Sequence, residues 1–147
     1  VTCLVATSKF IAADRRVTDS EGGLWPNQRK VFSNRTLVAA YCGLARVGAD
    51  LEKSVREGLE DPRKLIDMMS DHSGAIVLMR AGPLWWVGCG ESTLVRAPVY
   101  TAGSGGDLAR GYLGAKGKHD AMSVRAAIRF ASLCRTDCGG GCDIASI

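Results

Sequence analysis

Proline is scarce, with four in 147 residues, and histidine is scarcer, with two. So few prolines leave no stiff, extended linker. His72 and His119 stand far apart, which gives little from which to build a histidine-based metal centre. Aromatic residues make up only 6% of the chain, against what a base-stacking surface needs. Neither sign of charge dominates. The formal net charge is +4 and the pI about 8.8, short of the clustered basic footprint of a nucleic-acid binder. No apolar run approaches the roughly 20 residues of a membrane-crossing helix, so no membrane partner is expected. The stretch Val1 to Thr7 lacks the basic start and long apolar core of a secretory signal, and the expected compartment is the cytoplasm.

What is present is ordinary globular material: 46% hydrophobic and 23% charged residues. The length suits one domain spanning 1–147. No repeat, low-complexity segment or linker divides it. Eighteen glycines point to tight turns and close backbone approaches. Six cysteines occur, and Cys3, Cys42, Cys89 and Cys134 lie in or beside apolar runs, where a free thiol packs as a small hydrophobe. Cys134, Cys138 and Cys142 recur every fourth residue, but Gly139-Gly140-Gly141 breaks the helix that would align them. Zinc sites favour closer pairs or accompanying histidines, so no metal or other cofactor is expected.

Apolar runs predict strands at Cys3 to Ala6 and Phe10 to Ala13, joined by a polar turn into a hairpin. Asp14 to Gln28, with Gly22-Gly23 and Pro26, predicts a loop. A second strand pair follows at Lys30 to Phe32 and Thr36 to Cys42. Val47, Leu51, Val55 and Leu59 then recur every four residues, which predicts an amphipathic helix over 45–59. Asp61-Pro62 opens a short second helix. Strands are expected at Gly74 to Met79, Leu84 to Val87 and Thr93 to Tyr100. A helix over 107–115 and another over 124–134, capped by Ser123, precede a last strand from Cys142. Runs of strands separated from runs of helices predict α+β architecture.

Several short motifs carry less than they suggest. Gly103-Ser104-Gly105-Gly106 looks like a phosphate cradle, yet no Lys-Ser/Thr follows it, so a tight turn into a helix is expected. Asp71-His72-Ser73 has the three residue types of a hydrolytic triad, but adjacent residues cannot relay a proton in that way. Asn34-Arg35-Thr36 fits a glycosylation acceptor, which matters only in a secreted protein. The basic residues from Arg110 to Arg135 lie among acids on two helices and read as a solvated face.

The chain start is more informative. Thr2 begins the first strand, Asp14 ends the second and Lys30 opens the third. Pairing of adjacent antiparallel strands would gather Thr2 and Lys30 at one sheet edge. A threonine hydroxyl needs a base to become a nucleophile, and an N-terminal amine, with an ordinary pKa near 7.7–8, can be that base. A lysine ammonium nearby would stabilise charge developing on the hydroxyl, and an aspartate would hold the lysine.

Thr2-Cys3-Leu4-Val5-Ala6, Phe10 to Arg16, Arg29-Lys30-Val31, Ala39 to Asp50 and Gly103 to Gly106, taken in that order, resemble proteasome β-type subunits, and most of all HslV-like bacterial homologues. The Asp14 to Lys30 interval agrees with that pattern. The resemblance implies a four-layer αββα sandwich of two antiparallel sheets, the N-terminal nucleophile hydrolase fold. It implies a threonine-type endopeptidase acting on polypeptide substrates, with Thr2 as nucleophile, Lys30 tuning it, Asp14 holding Lys30 and Ser104 bonding near the threonine amine. It also implies that the amide of Gly43 contributes to an oxyanion hole and that Asp137 fills the family's C-terminal carboxylate position. A homo-oligomeric ring or helical assembly is implied, with an ATP-dependent unfoldase as a possible partner.

This sequence departs from the pattern in three places. Val1 stands before Thr2, whose amine the family's chemistry needs free; Arg135 to Gly141 offers no serine beside its glycines; and the second helix is short. An alternative expectation is therefore a catalytically silent structural or binding component of an oligomer, with Val1 blocking the Thr2 amine. A third is a hydrolase of a small amide on the same fold.

Overall fold

The computed structural model describes residues 2–18, 23–25 and 27–147. Val1, residues 19–22 and Pro26, and with them part of the expected 14–28 loop, lie outside the described residues.

Two antiparallel sheets form the centre. The first has the order β10-β1-β2-β11, from Val99–Ala102, Leu4–Thr7, Phe10–Asp14 and Cys142–Ser146. The second runs β5-β6-β7-β8-β9 in chain order, from Val31–Ser33, Leu37–Cys42, Gly74–Met79, Leu84–Gly88 and Glu91–Val95. Side chains alternate along each strand, so every inner strand has two faces to bury. Leu4, Ala6, Ile11 and Ala13 of the first sheet meet Val38, Ala40, Ile76 and Leu78 of the second in one apolar layer. The opposite faces of the same strands point outward. Val5 and Ala12 pack under α2 (Gly106–Lys116) and α3 (Ala121–Cys134), against Leu113, Val124 and Ile128. Leu37, Ala39 and Tyr41 pack under α1 (Ala45–Arg56), against Val47, Leu51 and Val55. The result is the expected four-layer αββα sandwich, and its strands read as continuous apolar runs because both faces are covered.

Local rules explain most elements. The four-residue spacing of α1 places Val47, Leu51 and Val55 inward, while Arg56 reaches back to Glu52 at 2.8 Å on the outside. Asn34 supplies the β5–β6 turn. Its Oδ1 accepts from the amides of Thr36 and Leu37, and its Nδ2 donates to the carbonyls of Val55 and Leu59. The asparagine of the glycosylation-like triplet is thus committed to holding α1 on the sheet.

Four expectations are corrected. The stretch from Thr93 to Tyr100 is not one strand but the end of β9 and the start of β10, in different sheets. Pro98 has no amide to continue a ladder, and the chain crosses there. The last helix is capped by Asp120, which accepts from the Ser123 amide at 2.7 Å, so Ser123 lies inside it. The segment from Asp61 is a 3₁₀ helix, Pro62–Met68, too tight to extend far. Within the expected 14–28 loop, β3 (Val17–Thr18) pairs with β4 (Leu24–Trp25).

The thiols are also redistributed. All six are free, but Cys89 and Cys134 are exposed whereas Cys138 is fully buried. Cys89 sits in the turn joining β8 to β9, and Cys134 closes α3. Among the described residues no helix is long and apolar enough to cross a membrane.

Two outcomes follow from this packing. Ile76→Ala, at the centre of the inter-sheet layer, should lower stability by about 2–5 kcal/mol in urea denaturation. Iodoacetamide should modify Cys89 and Cys134 in the native protein, with Cys3, Cys42 and Cys138 reacting only after unfolding, as read by mass spectrometry of digested peptides.

Candidate active site

The residues expected to act together do meet, although by another route than one sheet edge. Thr2 leads into β1 of the first sheet, whereas Lys30 precedes β5 of the second. The two sheets face each other, and Lys30 crosses the gap between them. Its Nζ donates to Thr2 Oγ1 at 3.0 Å, to Asp14 Oδ1 at 2.9 Å and to the carbonyl of Arg16. Thr2, Asp14 and Lys30 are all buried, Asp14 and Lys30 completely.

Burying such a pair is costly unless every remaining lone pair is used. Asp14 meets this condition. Oδ1 also accepts from the Cys3 amide at 2.8 Å, and Oδ2 accepts from the amides of Arg16 at 3.3 Å and Gly139 at 2.9 Å. Asp14 is thereby bonded to the residue after the threonine, to its own strand's exit and to the loop before β11. The sequence reading missed Arg16 and Gly139 because both act through the backbone, which no side-chain motif reveals.

The turn 103–106 closes the site from the side. Gly105 donates to the Thr2 carbonyl at 3.2 Å. Gly103 has φ +80°, and a Cβ there would lie 2.0 Å from that carbonyl oxygen, so glycine is required. This is the tight turn the sequence suggested, and it holds the threonine backbone. Ser104, between the two glycines, has its hydroxyl 3.8 Å from Cys138 Sγ, and no hydrogen bond joins it to Thr2 among the described residues. Asp137 bonds Arg135 at 2.9 and 3.1 Å. The Arg135 guanidinium, helped by the Ser104 hydroxyl, holds the Asp137 carboxyl below its usual range. Asp137 therefore borders Ser104 and makes no bond to Thr2 among the described residues.

Gly43 follows β6. The β5–β6 register pairs Val31 with Ala40, so Gly43 lies at the same sheet end as Lys30. Its φ is +103°, and a Cβ would strike the His72 carbonyl at 2.1 Å. The Asp71-His72-Ser73 turn thus serves as the floor of the Gly43 loop. Burial raises the Cys3 thiol, and burial followed by the nearby Asp14 charge raises Cys138. Both shifts favour the neutral thiol. Among the described residues no group of His, Cys, Asp and Glu side chains is arranged to hold a metal ion.

At Arg29, the residue before Lys30, opens a cavity of about 380 Å³ lined also by Val17, Gln28, Phe32, Tyr41, Ala45 and Glu52; Lys30 itself is not on its wall. Phe32 and Tyr41 stack with centroids 6.5 Å apart.

The bonding pattern makes the two halves of the ion pair unequal. Asp14→Ala removes the carboxylate that pairs with a fully buried ammonium and should cost about 3–5 kcal/mol. Lys30→Met leaves a carboxylate still holding three amides and should cost less, about 1–3 kcal/mol. Chemical denaturation of both variants tests the order.

No family model and no curated protein matches this sequence. Solved structures do. HslV from Trypanosoma brucei superposes with a TM-score of 0.71 over 99% of this chain and 97% of that one, at 17% identity. BPH from Thiobacillus denitrificans, in complex with epoxomicin, superposes with a TM-score of 0.74 over 99% and 97%, at 14% identity. The architecture built here from two covered sheets is the HslV-like, proteasome β-type fold.

Proposed function

We propose that this chain, as one domain over residues 1–147, is a threonine-type endopeptidase. The observation that carries the reading is the hydrogen bond from the buried Lys30 ammonium to Thr2 Oγ1, with Asp14 behind it. The fold shared with HslV and with the epoxomicin-bound BPH supports it.

In this mechanism the Thr2 amine is free and takes the hydroxyl proton, directly or through a water. Oγ1 attacks the scissile carbonyl carbon. Lys30 stabilises the charge on Oγ1 as it forms, and Asp14 keeps Lys30 charged and oriented. The Gly43 amide donates to the carbonyl oxygen of the tetrahedral intermediate; one such donor is worth about 2.7–4 kcal/mol in characterised enzymes. The C–N bond then breaks, the leaving amine takes the proton from the Thr2 ammonium, and an ester to Thr2 remains. Water, activated by the same amine, cleaves that ester and restores the hydroxyl. Ser104 and Asp137, which border each other beside the 103–106 turn, would reach the amine only once it is free.

Val1 lies outside the described residues. Removal of whatever precedes Thr2 is part of the proposal, since it frees the amine. The cavity at Arg29 would take a substrate side chain. Its aromatic and aliphatic wall fits an apolar residue, and Gly48 keeps it open, because a Cβ there would lie 2.2 Å from the Tyr41 ring. Enclosure in a homo-oligomeric ring, with an ATP-dependent unfoldase supplying substrate, would confine the activity to unfolded chains.

The test is N-terminal sequencing of the purified protein together with hydrolysis of fluorogenic peptides. The expected result is a mature chain starting at Thr2, inhibited by epoxomicin, and a Thr2→Ala variant slower by on the order of 10³-fold or more. An intact Val1 with no turnover would instead favour the silent structural component. Turnover of small amides but not peptides would favour the third reading.

A further inference from the structure

A cavity of about 490 Å³ opens between α3 and the glycine run 139–141, whose first amide bonds Asp14. Three arginines line it. Arg125 and Arg129 are one helical turn apart on α3, and Arg16 approaches from the other wall. Among the described residues no carboxylate lines this cavity, and neither Arg125 nor Arg129 has an acidic partner. Ile128 and Cys138, both buried, make the floor apolar. Arg125 and Arg129 are exposed and Arg16 is half-buried, so the charge run keeps its solvated face while three guanidiniums of one sign border the same recess and make it electropositive.

The recess is wired to the ion pair. The Arg16 guanidinium lies over Gly139, within about 3 Å of where a Cβ would stand. The Gly139 amide donates to Asp14 Oδ2, as does that of Arg16, and the Arg16 carbonyl accepts from Lys30. Anything that draws the Arg16 side chain into the recess pulls on the backbone that holds Asp14 and Lys30.

We propose that this recess binds a phosphate-bearing small molecule, and that its occupancy tightens the loop that holds Asp14. Guanidinium forks match phosphate oxygens in pairs, and three of them offer more donors than one carboxylate can accept. The volume falls in the range of small-molecule sites and exceeds what a lone phosphate fills. Binding and loop tightening stand apart from the peptidase reading; only an effect on hydrolysis would rest on it.

The experiment titrates the full-length, assembled protein with sodium pyrophosphate by calorimetry at constant ionic strength. Hydrogen exchange of peptides covering 135–143 is followed in parallel. The expected result is saturable binding of one pyrophosphate per chain, slower exchange over those peptides, and affinity weakened on the order of tenfold or more in Arg125→Gln/Arg129→Gln. A Lys116→Gln/Lys118→Gln variant should bind as the wild type does. If the double variant does not fold, the two single arginine substitutions carry the same comparison. Absence of saturable binding, or equal binding by the arginine variants, overturns the site. Binding with unchanged exchange overturns the link to Asp14. If pyrophosphate fails to bind and the arginine variants dissociate the assembly in sedimentation, the recess instead takes a carboxylate from a neighbouring copy, and the proposal falls.

Discussion

A lysine and an aspartate are buried together between two sheets, and much of the local structure is arranged to tolerate that. An unpaired charge at such depth would cost several kcal/mol, so the pair survives only inside a complete shell of donors and acceptors. That requirement explains why four separate parts of the chain converge on Asp14. The residue after Thr2, the exit of β2, the segment before β5 and the glycine loop before β11 each contribute one bond to it. The carboxylate is thereby a structural hub. Its neighbour Lys30 passes the benefit on to Thr2, whose hydroxyl faces a fixed ammonium and needs no rearrangement to meet it.

The sheets make this possible because their facing layer is thin. Alanines at 6, 13 and 40 alternate with leucine, isoleucine and valine, which lets the two strand layers approach while the layer stays filled. Lys30 enters at the end of that layer, where the apolar packing stops and the strands begin.

Much of this was legible in the sequence, for identifiable reasons. The four-residue spacing of Val47, Leu51 and Val55 and the apolar runs of β1, β2, β6 and β7 are strong periodic signals, and the structure follows them. The Thr2, Asp14 and Lys30 set was legible as residue types at particular strand ends. Its mode of assembly was not. Period-2 patterns tell which residues share a face, but not whether two strand ends meet side by side in one sheet or across two. The split of β9 from β10 was hidden for a related reason, since Arg96-Ala97-Pro98 marks a break without saying where the chain goes next. Burial of Cys138 was hidden too. It sits among polar and glycine residues, and it is covered because Cys3 and Ser104 of distant segments close over it.

The bond from the Gly139 amide to Asp14 spans 125 residues of chain. β2 lies between β1 and β11, so its second edge stays unpaired until the last strand docks. During synthesis Thr2 therefore leaves the ribosome well before Gly139, and the cradle of Asp14 stays incomplete until the glycine loop and β11 have followed. Over that interval the strand that Thr2 opens exists without the settled ion pair that meets its hydroxyl. The long sequence separation that ties the finished site together also delays its assembly.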